Sequence, residues 1–449
     1  MIKRQIPQYL IEIIKSYLSE RFLVFPDFKI SINSGAAQGG CLSPTIWILI
    51  FDEILNLHTT PEILKQAYAD DTLLIISGTD ITEIQKTTKT VTRTIKNALK
   101  KKNLITEDSK TEALLIHGPR KAKDIELTVG NSNINAVPSL TSLGITLTGG
   151  LRMGQHIKDV CSKAKKVATN FKPILPNLGG PAFIRRKMII HAVFSIIFYG
   201  IAIWANTKLT KTSRIEIRKT IRPLKIALCS AYRTTSDFCL DIISGIPPTD
   251  ILIEERLARY NRKDYLETET DKLLQWQTKW NNETKNYWIR SIIPDFKIWT
   301  ERRHGFPDYY VSQLLSGHGA FGDYLYRFKK IDSPFCSCNN KSIDSPHHTF
   351  FDCSLNKDIR TNLEVNLNQK ISSQNLIKIM TSSKDNWNLI YSYVKETLQQ
   401  KQKILNENNS ENPDSYNKDA ISNPNNNLNP TTASLEEKSS DTTEENVTC

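Results

Sequence analysis

The run Gln66-Ala67-Tyr68-Ala69-Asp70-Asp71-Thr72-Leu73-Leu74-Ile75-Ile76 constrains this chain more than any other stretch. Two apolar segments meet at adjacent carboxylates, a pattern that predicts a β-hairpin with acids at its tip. Neighbouring like charges disfavour each other's ionised form and desolvate poorly, so such a pair between hydrophobic strands is well placed to hold a divalent cation. A solvated Asp-Asp turn accounts for the same residues, because Asp is at home in turns and water screens the pair. On these residues alone both readings stand.

Upstream lies a small-residue loop, Ser34-Gly35-Ala36-Ala37-Gln38-Gly39-Gly40-Cys41-Leu42-Ser43-Pro44, running into the apolar segment Thr45 to Leu55. Together the two stretches resemble the Q-G-x-x-L-S-P and Y-A-D-D motifs of reverse transcriptases, in the same order and at a fitting separation. Two further matches follow, Ser109-Lys110-Thr111-Glu112 ahead of a strand from Ala113 to His117, and Ser142-Leu143-Gly144-Ile145-Thr146-Leu147. Outside these, Phe198-Tyr199-Gly200-Ile201-Ala202-Ile203-Trp204 and Ser316-Gly317-His318-Gly319 before a cysteine cluster make the chain look like the Pol proteins of LINE-type, jockey-like non-LTR retrotransposons of arthropods. The resemblance covers roughly residues 1 to 355.

That resemblance implies an RNA-directed DNA polymerase working on an RNA template, a DNA primer and dNTPs, with Mg²⁺ or Mn²⁺ as cofactor. A 3′ hydroxyl attacks an α-phosphate while two divalent ions stabilise the attacking and leaving oxygens. By the same resemblance Asp70 is the principal metal ligand and Asp71 its weaker companion, with Tyr68 beside the primer terminus. Gln38 and Gly39 would lie against the template, glycine allowing a close backbone approach. Lys110 is placed to assist the departing pyrophosphate as an acid, or is a plain surface lysine ahead of a strand. Lys165, Lys166, Arg185 and Arg186 fall in the basic segment that corresponds to the thumb. The family implies residence in the nucleus.

The chain also departs from its family. Polymerase palms carry another catalytic Asp on a strand that precedes the helix beginning this chain, and nothing before Pro7 could be that strand. The expectation is an N-terminally truncated, inactive copy, with a non-catalytic RNA- or DNA-binding remnant as the alternative. Ala37, where the family more often has Pro, is a smaller departure.

Periodicity gives an α+β chain. An amphipathic helix is expected over Pro7 to Arg21 and a second over Thr45 to Leu57. Asp80-Ile81-Thr82-Glu83 reads as a capping box for a third, carrying Ile84, Val91, Ile95 and Ala98 on one face. Short strands near 113–117, 125–129 and 143–147 complete an antiparallel sheet with helices on one face, a partial palm over 1–150. A thumb-like helical region follows over 151–235, then a helical connection over 236–315, a Cys/His segment over 316–355, a helical extension over 356–404 and a tail over 405–449. Ile189 to Ala205 is apolar enough to suggest a membrane span but short for one, and a buried helix is preferred. Trp276, Trp280, Trp288 and Trp299 are read as core residues before base-stacking platforms.

The chain has 449 residues and a net charge of +12, but residues 405–449 alone carry −7, leaving about +19 on the rest. That excess favours a polyanionic partner and leaves a merely basic soluble protein open. Met1 to Pro7 does not lead into a signal-peptide core. Eight unevenly spaced cysteines argue for reduced thiols inside the cell rather than a disulfide framework. Cys336, Cys338, His348 and Cys353 offer the soft ligand set of structural zinc, against free cysteines in a small core. His347 competes as the ligand only if the loop shifts by one residue. Eleven Asn among the last 45 residues predict a disordered tail. Oligomeric state is not readable from these patterns.

Overall fold

The computed structural model describes residues 5–59, 63–118, 125–206 and 209–411, with side chains to 407. The tail expected to be disordered lies outside the described residues from 412 onward, as do the first four residues of the segment read for a signal peptide. The chain divides after Arg152 into two compact units.

The first unit opens with α1 (Gln8–Leu18), a hairpin of β1 (Arg21–Val24) and β2 (Lys29–Ile32), and α2 (Ser43–Leu55). The hairpin β3 (Leu64–Tyr68) and β4 (Asp71–Ile75) follows, then α3 (Ile81–Lys100). Asp80 caps α3 by accepting from the Glu83 backbone N–H at 2.8 Å, while Glu83 accepts from the Thr79 N–H and hydroxyl, so the expected N-terminus is present. Its buried stripe of Val91, Ile95 and Leu99 joins Phe51, Ile54 and Ile63 in the core, with Trp47, Leu74 and Ile76 packed at its edge. Four dissimilar elements are thus held by one apolar cluster.

The remaining strands are β5 (Ala113–Leu114), β6 (Glu126–Val129), β7 (Ser132–Val137), β8 (Ser139–Ser142) and β9 (Ile145–Thr148). They do not make the single sheet expected. Described strands form three separate hairpins and one three-stranded sheet, in which β5 runs parallel to β7. The expected strand from Ala113 to His117 is only two residues long. Sheets this small cannot bury two faces, and β1 and β2 leave Phe22, Leu23, Val24 and Ile30 about half exposed.

The second unit is helical: α4 (Gly154–Phe171), α5 (Phe183–Ile197), α6 (Ile201–Trp204), α7 (Lys211–Cys229), α8 (Asp237–Ser244), α9 (Thr249–Tyr260) and α10 (Tyr265–Asn282). Then come α11 (Tyr287–Ile292), α12 (Phe296–Thr300), α13 (Tyr309–Ser316), α14 (Gly322–Arg327), α15 (Lys357–Leu367), α16 (Leu376–Ser382) and α17 (Lys384–Glu411). Helices α4, α5 and α7 pack on one another. The apolar stretch 189–205 is buried on one face only, with Ile190, Val193, Phe194, Ile197 and Trp204 inside and Tyr199 and Ile203 about half exposed, and it is broken where Gly200 takes φ 63 and starts α6 afresh. No described helix is long and apolar enough to cross a membrane. Helix α17 runs through Glu411, past the expected boundary at 404.

Trp276, Trp280 and Trp299 are at most 3% exposed. Trp299 donates to the Ile242 carbonyl at 3.0 Å and Trp288 to that of Leu314 at 2.6 Å. The tryptophans pack and tie, as their helical spacing predicts.

Candidate functional site

Residues 64–75 form the expected hairpin, with Tyr68 opposite Asp71 and a two-residue turn of Ala69 and Asp70. Ala69 sits at φ 53, which costs a non-glycine residue about 1 kcal/mol or more. Trp47 on α2 holds that strained turn by donating to the Ala69 carbonyl at 2.8 Å. Sequence patterns missed this tie, although an indole in a helix entered from the Gln38–Pro44 loop was a visible candidate. Asp70 and Asp71 are both exposed, as is Tyr68 at 69%. Their oxygens are open to solvent and to a hard cation. Among the described residues no third His, Cys, Asp or Glu joins them in a metal-sized cluster.

Gln38 is exposed on the loop before α2, and Gly39 takes φ 84, a conformation that favours glycine. Beside it, a Cβ on Gly40 would come 2.9 Å from the Ser43 hydroxyl, whose Oγ donates to the Ala37 carbonyl at 2.6 Å. The loop therefore turns tightly into α2, and α2 carries the Trp47 tie to the hairpin. Lys110 is exposed in a single 3₁₀ turn, Asp108–Lys110.

The four basic residues singled out in the second unit divide. Lys166 and Arg185 are exposed. Lys165 is half exposed and ion-paired with Glu216, a surface contact that a phosphate can displace at small cost. Arg186 corrects the sequence reading. It is 4% exposed and donates to the carbonyls of Pro181 at 2.8 Å, Ala227 at 2.9 Å, Leu175 at 3.4 Å and Pro176. Burial depresses its pKa, and its fork is consumed in fastening the 175–181 loop and the end of α7. Four of its five N–H donors are occupied, and at this burial the fifth is not presented to nucleic acid.

Cys336, Cys338, His348 and Cys353 converge, their ligand atoms all within 4.8 Å of one another. The Cys336 and Cys353 sulfurs are 3.7 Å apart, and Cys338 Sγ is 3.3 Å from His348 Nε2. Zn–S bonds of about 2.3 Å at tetrahedral angles give S–S edges of about 3.8 Å, so the group fits a zinc-sized cation. Burial pushes the Cys336 thiol up to about 12, a state that metal ligation would reverse. His347 instead turns outward to Asp352 at 3.0 Å.

The turn that presents the first two thiols is locally encoded. Cys336 donates to the Ser342 carbonyl and Asp344 to that of Pro334, closing a small hairpin. Asn339 Oδ1 accepts from the Lys341 and Ser342 N–H groups, and Asn340 takes the left-handed position at φ 53. Asn thereby supplies what a glycine would supply after the cysteine pair. Asp344 then anchors the turn, accepting from Gly322 N–H at 2.9 Å, Thr349 Oγ1 at 2.9 Å and Lys401 Nζ of α17 at 2.6 Å.

Comparison with known proteins gives these residues a context. Residues 1–147 match the family model described as reverse transcriptase (RNA-dependent DNA polymerase). A "Putative 115 kDa protein in type-1 retrotransposable element R1DM" from Drosophila melanogaster is 23% identical over 359 residues, 74% of this chain and 35% of the relative. Two "Retrovirus-related Pol polyprotein" relatives from type-1 retrotransposable elements of Nasonia vitripennis are each 21% identical, over 73% and 76% of this chain and 86% and 96% of their own lengths. The chain thus spans about a third of the first relative and most of the other two. No solved structure matches it significantly. Over its N-terminal third the chain is thus similar to reverse transcriptases, and over about three quarters of its length it resembles the Pol proteins of R1 type-1 retrotransposable elements.

Proposed function

We propose that this chain carries part of the DNA-synthesising machinery of a non-LTR retrotransposon, acting in the nucleus on an RNA template, a DNA primer and deoxynucleoside triphosphates. The observation that carries the reading is the exposed Asp70–Asp71 tip, held by Trp47, inside the segment that matches the reverse transcriptase family. In this reading residues 1–150 belong to the polymerase palm and 151–235 to its thumb. Asp70 and Asp71 offer hard oxygen donors with solvent-facing positions left for phosphate. A pair of Mg²⁺ or Mn²⁺ ions, when bound, stabilises the attacking and departing oxygens of the in-line displacement. Tyr68 borders the primer terminus, the Gln38–Gly39 turn admits the template backbone, and Lys110 gives a proton to leaving pyrophosphate. Lys165, Lys166 and Arg185 contact phosphates. Cys336, Cys338, His348 and Cys353 hold one structural Zn²⁺ that orders residues 316–355.

A second reading has one specific observation in its favour. With no third acidic ligand beside Asp70 and Asp71 among the described residues, these 449 residues by themselves bind nucleic acid without extending it. Losing one ligand from a two-metal centre removes transition-state stabilisation worth several powers of ten in rate. Primer extension on an RNA template by the full chain, with Mg²⁺ or Mn²⁺, separates the two. Extension abolished by Asp70→Ala is the catalytic result, and binding without extension the second. Extension undiminished in Asp70→Ala would overturn the assignment of the hairpin.

A further inference from the structure

We propose that the groove along α7 is a binding site for a nucleic-acid strand, with backbone phosphates on Lys211, Arg214 and Arg218 and a base or sugar against the apolar floor. The proposal rests on the nucleic-acid reading above and locates it on residues that neither the sequence motifs nor the relatives single out. The groove lies wholly within the second unit, between α7 and the helices α8, α9 and α10, and measures about 560 Å³.

One stripe of α7 forms its basic wall, since residues three and four apart share a helix face. Charge is balanced at the inner end of that stripe. Arg222 pairs with Asp237 and donates to the Arg233 and Thr235 carbonyls, and Lys225 pairs with Asp241 and donates to the Ile246 and Pro247 carbonyls. On the facing wall, Asp250 holds Lys279. The mouth is different. Arg218 is 62% exposed and shares Asp237 at 3.4 Å with Arg222, which is the closer partner. Lys211 and Arg214 are exposed and have no ion pair among the described residues.

Counted around the groove, six cations face four acids, and the surplus gathers at the mouth. That arrangement is unfavourable in the free protein. Like charges at these spacings repel, and the first turn of α7 contains no acid to offset them or the helix dipole. An anion bound there removes both penalties. Between the cations Ile215 is 37% exposed, and beyond it half-buried Phe238 stacks on Trp280 at 5.1 Å. From Lys211 to Arg218 the ridge runs about 10 Å at 1.5 Å per residue. Successive negative charges beside flat apolar groups are the chemistry of a nucleic-acid strand, and a basic track beside aromatic surface is how such strands are held without base readout.

The test uses the full chain and a labelled single strand, as RNA and as DNA, titrated across a salt series. Replacing Lys211, Arg214 and Arg218 together by Ala is expected to weaken binding at least tenfold. It should also flatten the log–log salt slope by about 2, at about 0.7 per lost contact. Ile215→Glu places a carboxylate in the mouth at an exposed position and should weaken binding at least tenfold with an unchanged melting temperature. It decides the matter if the triple variant does not fold. Salt-sensitive binding that both variants retain overturns the groove and leaves the nucleic-acid reading intact. Absence of salt-sensitive binding by the parent chain overturns the reading itself. Polyglutamate bound as tightly as either strand, and lost in the same variants, would assign the groove to an acidic polypeptide instead.

Discussion

Arg185 and Arg186 are adjacent in sequence and equivalent by charge, yet the first is exposed and the second buried. Replacing Arg186 by Ala strands the carbonyls of Leu175, Pro176, Pro181 and Ala227, all of which now accept from one guanidinium. A hydrogen bond to a charged group contributes about 1.5–3 kcal/mol net. Four such losses are an upper bound, because water entering the vacated space re-satisfies some carbonyls and the cost of burying the charge disappears with it. A net destabilisation of about 3 kcal/mol remains, enough to lower the melting temperature of the second unit by roughly 6–10 °C. Arg186→Lys should recover less than half, since an ammonium cannot reproduce the planar fork. Exposed Arg185→Ala should change stability by less than about 0.5 kcal/mol. Thermal and urea unfolding of the three variants, read by circular dichroism, measure this. Arg186→Ala as stable as the parent, with nucleic-acid binding lowered as much as by Arg185→Ala, would refute the buried-tie account.

The protein purified from zinc-replete medium should carry one Zn²⁺ by elemental analysis, lost in His348→Ala and kept in His347→Ala; the reverse would show that the wrong histidine is assigned. Chelation should expose Phe350, now fully buried between Phe321 and Tyr393, while the first unit's circular dichroism is unchanged. His318 should make the second unit acid-sensitive, because burial first, and Arg327 second, depress its pKa to about 4. The unfolded chain protonates at the ordinary value of about 6.5, so the contribution is complete above that pH and is lost as pH falls towards 4, by at most about 3 kcal/mol. Urea midpoints at neutral pH and near pH 5 read the loss, and a His318→Gln variant with the same pH dependence as the parent would contradict it.

Local chemistry made several features legible. Apolar strands meeting at Asp70–Asp71 left the chain little choice but a hairpin, and Asp80 with Glu83 marked the start of α3 because the cap is written in neighbouring residues. The Cys/His group was likewise visible, since its ligands lie within 18 residues. What was hidden depends on distant partners. The parallel pairing of β5 with β7 joins residues more than 20 apart, and β5, two residues long, is too short to announce it. The β1–β2 hairpin carries Phe22, Leu23 and Val24 in an unbroken apolar run, a pattern that does not separate strand from helix. Arg186 was misread because charge in an Arg-Arg-Lys run carries no sign of burial; the carbonyls that capture it come from 175–181 and from 227. Helix α17 is likewise tied to distant partners, by Lys401 on Asp344 and by Gln402 on Tyr309, just ahead of the compositional boundary that it outlasts.

The central claim is that the tip of the β3–β4 hairpin is a divalent-metal carboxylate pair serving nucleotide addition. Paramagnetic broadening by Mn²⁺, with the Cys/His group saturated with Zn²⁺ beforehand, tests it most directly. The account predicts that backbone amide signals of residues 68–72 broaden first, that Mg²⁺ competes, and that Asp70→Asn removes the effect while leaving the hairpin's chemical shifts otherwise in place. Broadening centred elsewhere, or unchanged in Asp70→Asn, would contradict it.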